Sequence, residues 1–166
     1  MGTTLEQFAA QCHDALKSKP GTEGRKAVCG LVKDVLKDAD FVAKYIPDGT
    51  PERKVLYEDP ELGFCICGHV YSGPAHGSPH DHGSSWAIYG QASGVTEMTD
   101  WRIVKKGQGE EPSLVEPVKT YAMNPGDAHL YDVGAVHSPD RKAPVKLIRI
   151  EGKNLDHVKR SNIKAK

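Results

Sequence analysis

Two histidines one residue apart, His80 and His82, follow the turn-rich segment Gly73-Pro-Ala-His-Gly-Ser-Pro79. In an extended backbone alternate side chains share a face, so both imidazoles can grip one metal ion while Asp81 points away. A lone histidine is usually a surface or satisfied core group, but His-x-His after a Gly/Pro-rich turn is a stronger sign of a metal. A barrel brings distant strands around one interior, so a third ligand is expected far along the chain. There Asn124-Pro-Gly-Asp127 reads as a turn, residues 128–132 as a strand, and Asp132-Val-Gly-Ala-Val as a second turn that delivers His137. His129, on the strand itself, competes for that position.

Three neutral imidazoles leave a divalent ion its full charge, which favours an anionic substrate that chelates through two atoms. Fe(II) with open positions could bind such a substrate together with O2. Zn(II) would generate a hydroxide nucleophile, and Mn(II) or Ni(II) also accept these ligands.

The elements that must position these groups begin with helices. Leu5, Phe8, Cys12, Ala15 and Leu16 recur at helical spacing with Thr3 or Thr4 placed to cap the start. Ala27, Val28, Leu31, Val32, Val35 and Leu36 mark a second helix after Pro20-Gly21. Phe41, Val42, Tyr45 and Ile46 suggest a short third before Pro47. From Pro51 the texture turns to short β-prone runs between Gly, Pro, Asp and Ser, the pattern of an antiparallel sandwich or barrel. Strands are expected near 54–57, 62–71, 86–91, 95–104, 118–123, 128–132 and 145–151, with 105–117 an exposed hairpin loop. The expected organisation is one domain: a helical segment over 1–50 packed on a barrel over 51–152, then a solvated basic tail over 153–166.

The last strand, Val145-Lys-Leu-Ile-Arg-Ile-Glu151, offers two faces. With Leu147, Arg149 and Glu151 inward, Arg149 would orient an anionic substrate and Glu151 would act as an acid, a base or a support. Ordinary barrel filling favours the other register, with Ile148 and Ile150 inward and the charges on solvent.

Composition narrows the partners. A chain of 166 residues with 38% hydrophobic and 27% charged residues fits one ordinary globular domain. Lys and Arg number 22 and Asp and Glu 22, so no overall field draws nucleic acid or an anionic membrane. No apolar run approaches the roughly 20 residues that span a bilayer. The start MGTTLEQF lacks the basic and apolar parts of a signal peptide, so a cytoplasmic location is expected. The four cysteines lack C-x-x-C spacing and are expected as buried thiols.

Residues 51–152 resemble the cupin superfamily (RmlC-like barrels). Its first motif runs glycine, five residues, His-x-His, three or four residues, glutamate, six residues, glycine. His80, His82 and Gly94 match it, the opening glycine is displaced, and Ala87, or Trp86 in the shorter spacing, replaces the glutamate. The second motif is matched by Gly126-Asp127 and Asp132-x-Gly134-x-x-His137, which prefers His137 to His129 as third ligand. A three-histidine site without the carboxylate is similar to those of the thiol dioxygenases (cysteine and 3-mercaptopropionate dioxygenases) and of the diketone-cleaving dioxygenase. His80-Asp81-His82, the run Thr96-Glu-Met-Thr-Asp-Trp101 and the preceding helices extend the likeness. It implies that Arg53, eleven residues before Phe64, binds a substrate carboxylate. The thiol dioxygenases' Ser-x-His-x-Tyr pattern is absent from 145–151 in either register.

The resemblance thus implies a mainly β fold, a single antiparallel, jelly-roll-like cupin barrel after two or three N-terminal helices. The function it implies is a mononuclear non-haem Fe(II) dioxygenase using O2 on a small anionic or chelating substrate: a thiol, diketone or hydroxy acid. Trp86, Tyr89 and Trp101 are expected as core or pocket wall. The rival classes are a non-oxygenase metal cupin (isomerase, lyase or hydrolase using Zn, Mn or Ni) and a metal-dependent small-molecule binding module. A homodimer through exposed strands is the expected assembly.

Overall fold

The computed structural model describes residues 2–166. Thr4 Oγ1 accepts a hydrogen bond from Gln7 N at 3.1 Å, and the Gln7 side chain accepts from Thr4 N at 2.9 Å. This reciprocal cap opens α1, Leu5–Ser18. Gly21, at φ 92°, adopts a backbone that other residues rarely tolerate and leads into α2, Thr22–Leu36. The Asp38 side chain caps α3, Ala39–Tyr45.

The strands are β1 (Lys54–Glu58), β2 (Cys65–Tyr71), β3 (Ala75–His76), β4 (Ala87–Ser93), β5 (Thr96–Lys105), β6 (Ser113–Met123), β7 (Ala128–Tyr131), β8 (Val136–Arg141), β9 (Val145–Glu151) and β10 (Ile163–Ala165). They form two five-stranded sheets, ordered β1-β2-β9-β4-β7 and β10-β6-β5-β8-β3. Pairing is antiparallel throughout, apart from β10 lying parallel to β6. The fold is mainly β, as expected, with three helices before the sheets.

The central strands of the first sheet, β2, β9 and β4, are buried on both faces. On one, Ile66, Ile88, Ile148 and Ile150 pack with Phe8, Val28, Val32 and Phe41 of the helices. A Cβ on Gly90 would stand 2.6 Å from Val32 Cγ1, so glycine lets α2 lie directly on β4. On the other, Ala87, Tyr89 and Tyr131 meet Met98 and Met123 of the second sheet. Each such fully buried large side chain contributes roughly 1.5–3 kcal/mol by leaving water.

This layering corrects the reading of the last strand. Ile148 and Ile150 face the helices, and Leu147, Arg149 and Glu151 face the space between the sheets; Arg149 is 8% exposed and Glu151 0%. A strand buried on both faces lacks the core-to-solvent alternation from which its inward side could be read.

Three other expectations shift. The 105–117 loop is shorter, because β6 begins at Ser113, and Pro117 is accommodated beside a register shift opposite Trp101. His137 sits within β8, a strand that Pro139 disguised. The basic segment after 152 folds back instead of ending in solvent: Leu155–His157 forms a 3₁₀ turn and β10 pairs with Ser113–Val115. Among the described residues no helix is long and apolar enough to cross a membrane, and the four cysteines are buried free thiols.

Candidate metal centre

His80 lies outside the named strands but is tied to β8. His80 N donates to His137 O and His137 N to His80 O, both at 3.0 Å. This main-chain clasp sets the two rings side by side, with centroids 4.6 Å apart. His82 completes the group, 5.5 Å from the His80 ring and 4.9 Å from the His137 ring. One ring nitrogen of each lies within 4.8 Å of the others. One ion, bonded to imidazole nitrogens at roughly 2.0–2.1 Å, can draw on all three. Asp81 points elsewhere, its Oδ1 accepting from Gly83 N and Ser161 N at 3.0 Å each.

Protonation also suits a cation. His80 Nδ1 is 2.8 Å from the Ser78 carbonyl oxygen. A carbonyl only accepts, so Nδ1 carries the proton and Nε2 keeps its lone pair. Burial pulls the His80 imidazolium down to about 4, with Arg160 and Arg149 acting in the same direction and Ser78 against it. Burial, then Arg149 and His80, pulls His82 down to about 2. His137 is held well below its ordinary range by burial and by His80 and His82. All three rings are therefore neutral near pH 7, with nitrogen lone pairs available. The buried Nδ1 of His137 has no hydrogen-bond partner.

Tyr89 borders the group. Its Oη is 3.0 Å from His82 Nε2 and 3.2 Å from His137 Nε2. Burial raises its pKa, so it stays a phenol at neutral pH. It stands two positions after Ala87 on the same strand face, so the sheet's period of two was the sequence signal for its placement. Ala87, where the glutamate motif would fall, is cross-strand partner to Glu151. Glu151 is not free to replace that glutamate, because Arg53 Nη1 and Nη2 donate to its two oxygens at 2.6 and 2.8 Å.

The other residues singled out in the sequence scatter. Arg53, committed to Glu151, Asn154 and Asp156, offers its bonds to this chain's own side chains, contrary to the implied carboxylate-binding role. Trp86 belongs to the core, the first of its two expected places, packing on the helix side with the Arg25 guanidinium 5.7 Å from its ring centroid. Trp101 donates to Ser138 Oγ at 2.8 Å. With His129 and Tyr131 it lines a cavity of about 670 Å³ that none of the three histidines lines. A second cavity, of about 470 Å³, is bordered by His80, Tyr89, Tyr71, Arg141, Arg149 and Arg160. Arg141 and Arg160 went unnoticed in the sequence. Arg141 shares a β8 face with His137, and Arg160 lies in the segment expected to be free in solvent.

No family model matches this chain, and no curated protein matches it in sequence. Solved structures do match in shape. A hydroquinone 1,2-dioxygenase, PnpCD, solved with Cd2+ and 4-hydroxybenzonitrile, aligns over 75% of each chain with a TM-score of 0.50 at 14% identity. The chain has the cupin fold. An uncharacterised double-stranded β-helix protein from Klebsiella pneumoniae aligns over 74% of this chain and 88% of its own, with a TM-score of 0.48 at 15% identity. The Schizosaccharomyces pombe Cnp3 cupin domain aligns over 61% of this chain, with a TM-score of 0.46 at 13% identity, and the chain spans only 60% of that domain's length. Within the cupin barrel, the His80-x-His82 pair and His137 are held by the main-chain clasp and meet between the sheets. A divalent metal suits this donor set, and the set does not distinguish among metals.

Proposed function

We propose that this cupin is a mononuclear non-haem Fe(II) dioxygenase acting in the cytoplasm on a small anionic or chelating substrate. The observation that carries the reading is the convergence of three neutral imidazoles, without a carboxylate, one of which, His80, forms part of the wall of a cationic pocket. His80, His82 and His137 would hold the ion, and Fe(II) bound there would supply the binding and activation of dioxygen. Because the ligands carry no charge, the ion's attraction for an anion is undiminished.

The chain's own groups supply the rest. The Tyr89 hydroxyl holds a proton at Oη beside two ligands, placed to donate to an oxygen or sulfur of the reacting molecule. The Arg149 guanidinium lies 4.2 Å from the Tyr89 ring centroid, which keeps positive charge at the pocket floor and favours the ionised substrate. Where a thiol dioxygenase has Ser, His and Tyr, the inward face of β9 carries Leu147, Arg149 and Glu151, so the substrate class is set here by charge.

The reading is tested by metal analysis of freshly purified protein, then by oxygen uptake after anaerobic Fe(II) loading with a panel of thiols, diketones and hydroxy acids. Stoichiometric metal and substrate-dependent oxygen consumption are expected. Full occupancy by zinc, manganese or nickel, with no oxygen uptake after iron loading, would replace it with a non-oxygenase metal cupin or a binding module.

A further inference from the structure

The pocket beside His80 has no acidic residue on its wall, yet three arginines border it. Arg141 is 3% exposed; its Nε donates to Thr96 Oγ1 at 3.2 Å, its guanidinium lies 4.7 Å from the Tyr71 ring centroid, and its Nη2 has no partner. Arg149 is 8% exposed and its Nε has no partner. The carboxylate nearest in charge, Glu151, is 3.8 Å away and already receives two bonds from Arg53. Among the described residues Arg141 has no carboxylate partner and Arg149 has only a long contact to a Glu151 already held by Arg53, so the region holds more buried positive charge than its carboxylates neutralise. A guanidinium stays protonated at neutral pH, and a buried unpaired charge is costly, so a counter-anion is the missing partner. Burial pulls the Arg141 pKa below its ordinary value.

Arg160 supplies the third charge from above. It is exposed, and the segment carrying it is pinned beside the histidines, because Ser161 N donates to Asp81 Oδ1 at 3.0 Å. The middle residue of His80-Asp81-His82 thus anchors the strap that brings Arg160 to the pocket mouth.

We infer that this pocket binds a small molecule with two anionic groups, one directed to the three histidines and the other, a carboxylate or phosphate, held in the forks of Arg141 and Arg149 under Arg160. The role of the first group rests on the metal-centre reading above; the arginine site does not. Planar guanidinium forks bind either oxyanion through paired hydrogen bonds. A cavity of about 470 Å³ suits a small dicarboxylate or a phosphorylated acid.

The test uses metal-free protein, so that failure of the iron reading and failure of this one are separable. Succinate and inorganic phosphate are titrated by calorimetry at constant ionic strength. Binding of at least one is expected, and the tighter of the two tells whether the natural group is a carboxylate or a phosphate. Arg141→Met and Arg149→Met should each weaken it about tenfold or more, the equivalent of about 1.4 kcal/mol. Lys164→Met, on β10, should not change it. Arg141→Met should also melt no lower than wild type, because it removes a buried charge without a partner. If Arg149→Met fails to fold, Arg149→Lys, which keeps the charge but loses the fork, should still weaken binding. No binding of either anion overturns the inference, as does binding that survives both methionine variants, or a lowered melting temperature in Arg141→Met with unchanged binding.

Discussion

His80 and His137 are clasped through their main chains, each N–H donating to the other's carbonyl at 3.0 Å. Their spacing is therefore independent of the imidazoles, which can be removed without opening the clasp. His80→Ala and His137→Ala are expected to fold and to purify nearly free of metal. His129→Ala, altered in a different cavity, should keep close to wild-type content. Elemental analysis of the three variants checks this, and retention in His137→Ala with loss in His129→Ala would reverse the ligand assignment.

Tyr89→Phe removes one hydroxyl and keeps the ring on which Arg149 rests. Metal content and folding should stay unchanged, while turnover with the best substrate falls by about a hundredfold, the scale of a lost proton donor. Oxygen consumption per bound metal is the readout. Full activity would show that the phenol only fills space.

Glu151→Gln breaks a buried ion pair from the acidic side. Glu151 is fully buried and Arg53 is held by it, so neutralising the carboxylate leaves Arg53 and Arg149 without their shared partner. The expected cost is about 3 kcal/mol in denaturant unfolding, with metal content retained. Loss of metal at intact stability would instead make Glu151 part of the metal site.

Acid should destabilise the metal-free protein. His69, 2% exposed with neither ring nitrogen partnered, is kept neutral chiefly by burial, helped by Arg149, Arg53 and Arg141. His80, His82 and His137 are likewise held below their ordinary range. The unfolded chain binds protons at these histidines below about pH 6.5 and the folded chain does not, so stability is complete above that value and declines as pH falls. Each group can add up to about 1.4 kcal/mol per pH unit to the slope. Melting temperatures of apo wild type and His69→Leu between pH 7 and 5 should diverge, with the variant less sensitive. Parallel curves would mean His69 keeps the same protonation in both states.

The helices, the switch to β texture near Pro51 and the His80-x-His82 pair were legible because each is a local matter. Helical spacing, a cap at Thr4 and alternation over three residues need no distant partner. The pairing of His80 with His137 joins segments 57 residues apart in sequence, and its motif spacing suggested it without fixing the geometry. Tertiary structure alone decided the direction of Arg149 and Glu151. Two apolar layers, one under the helices and one between the sheets, bury both faces of β9, so alternation in that strand carries no sign of which side holds the pocket. It also decided that Arg53 would meet Glu151 while Arg141 and Arg149 keep open donors. Which charges pair depends on the few ångströms separating side chains from different strands, a quantity that no spacing along one chain encodes.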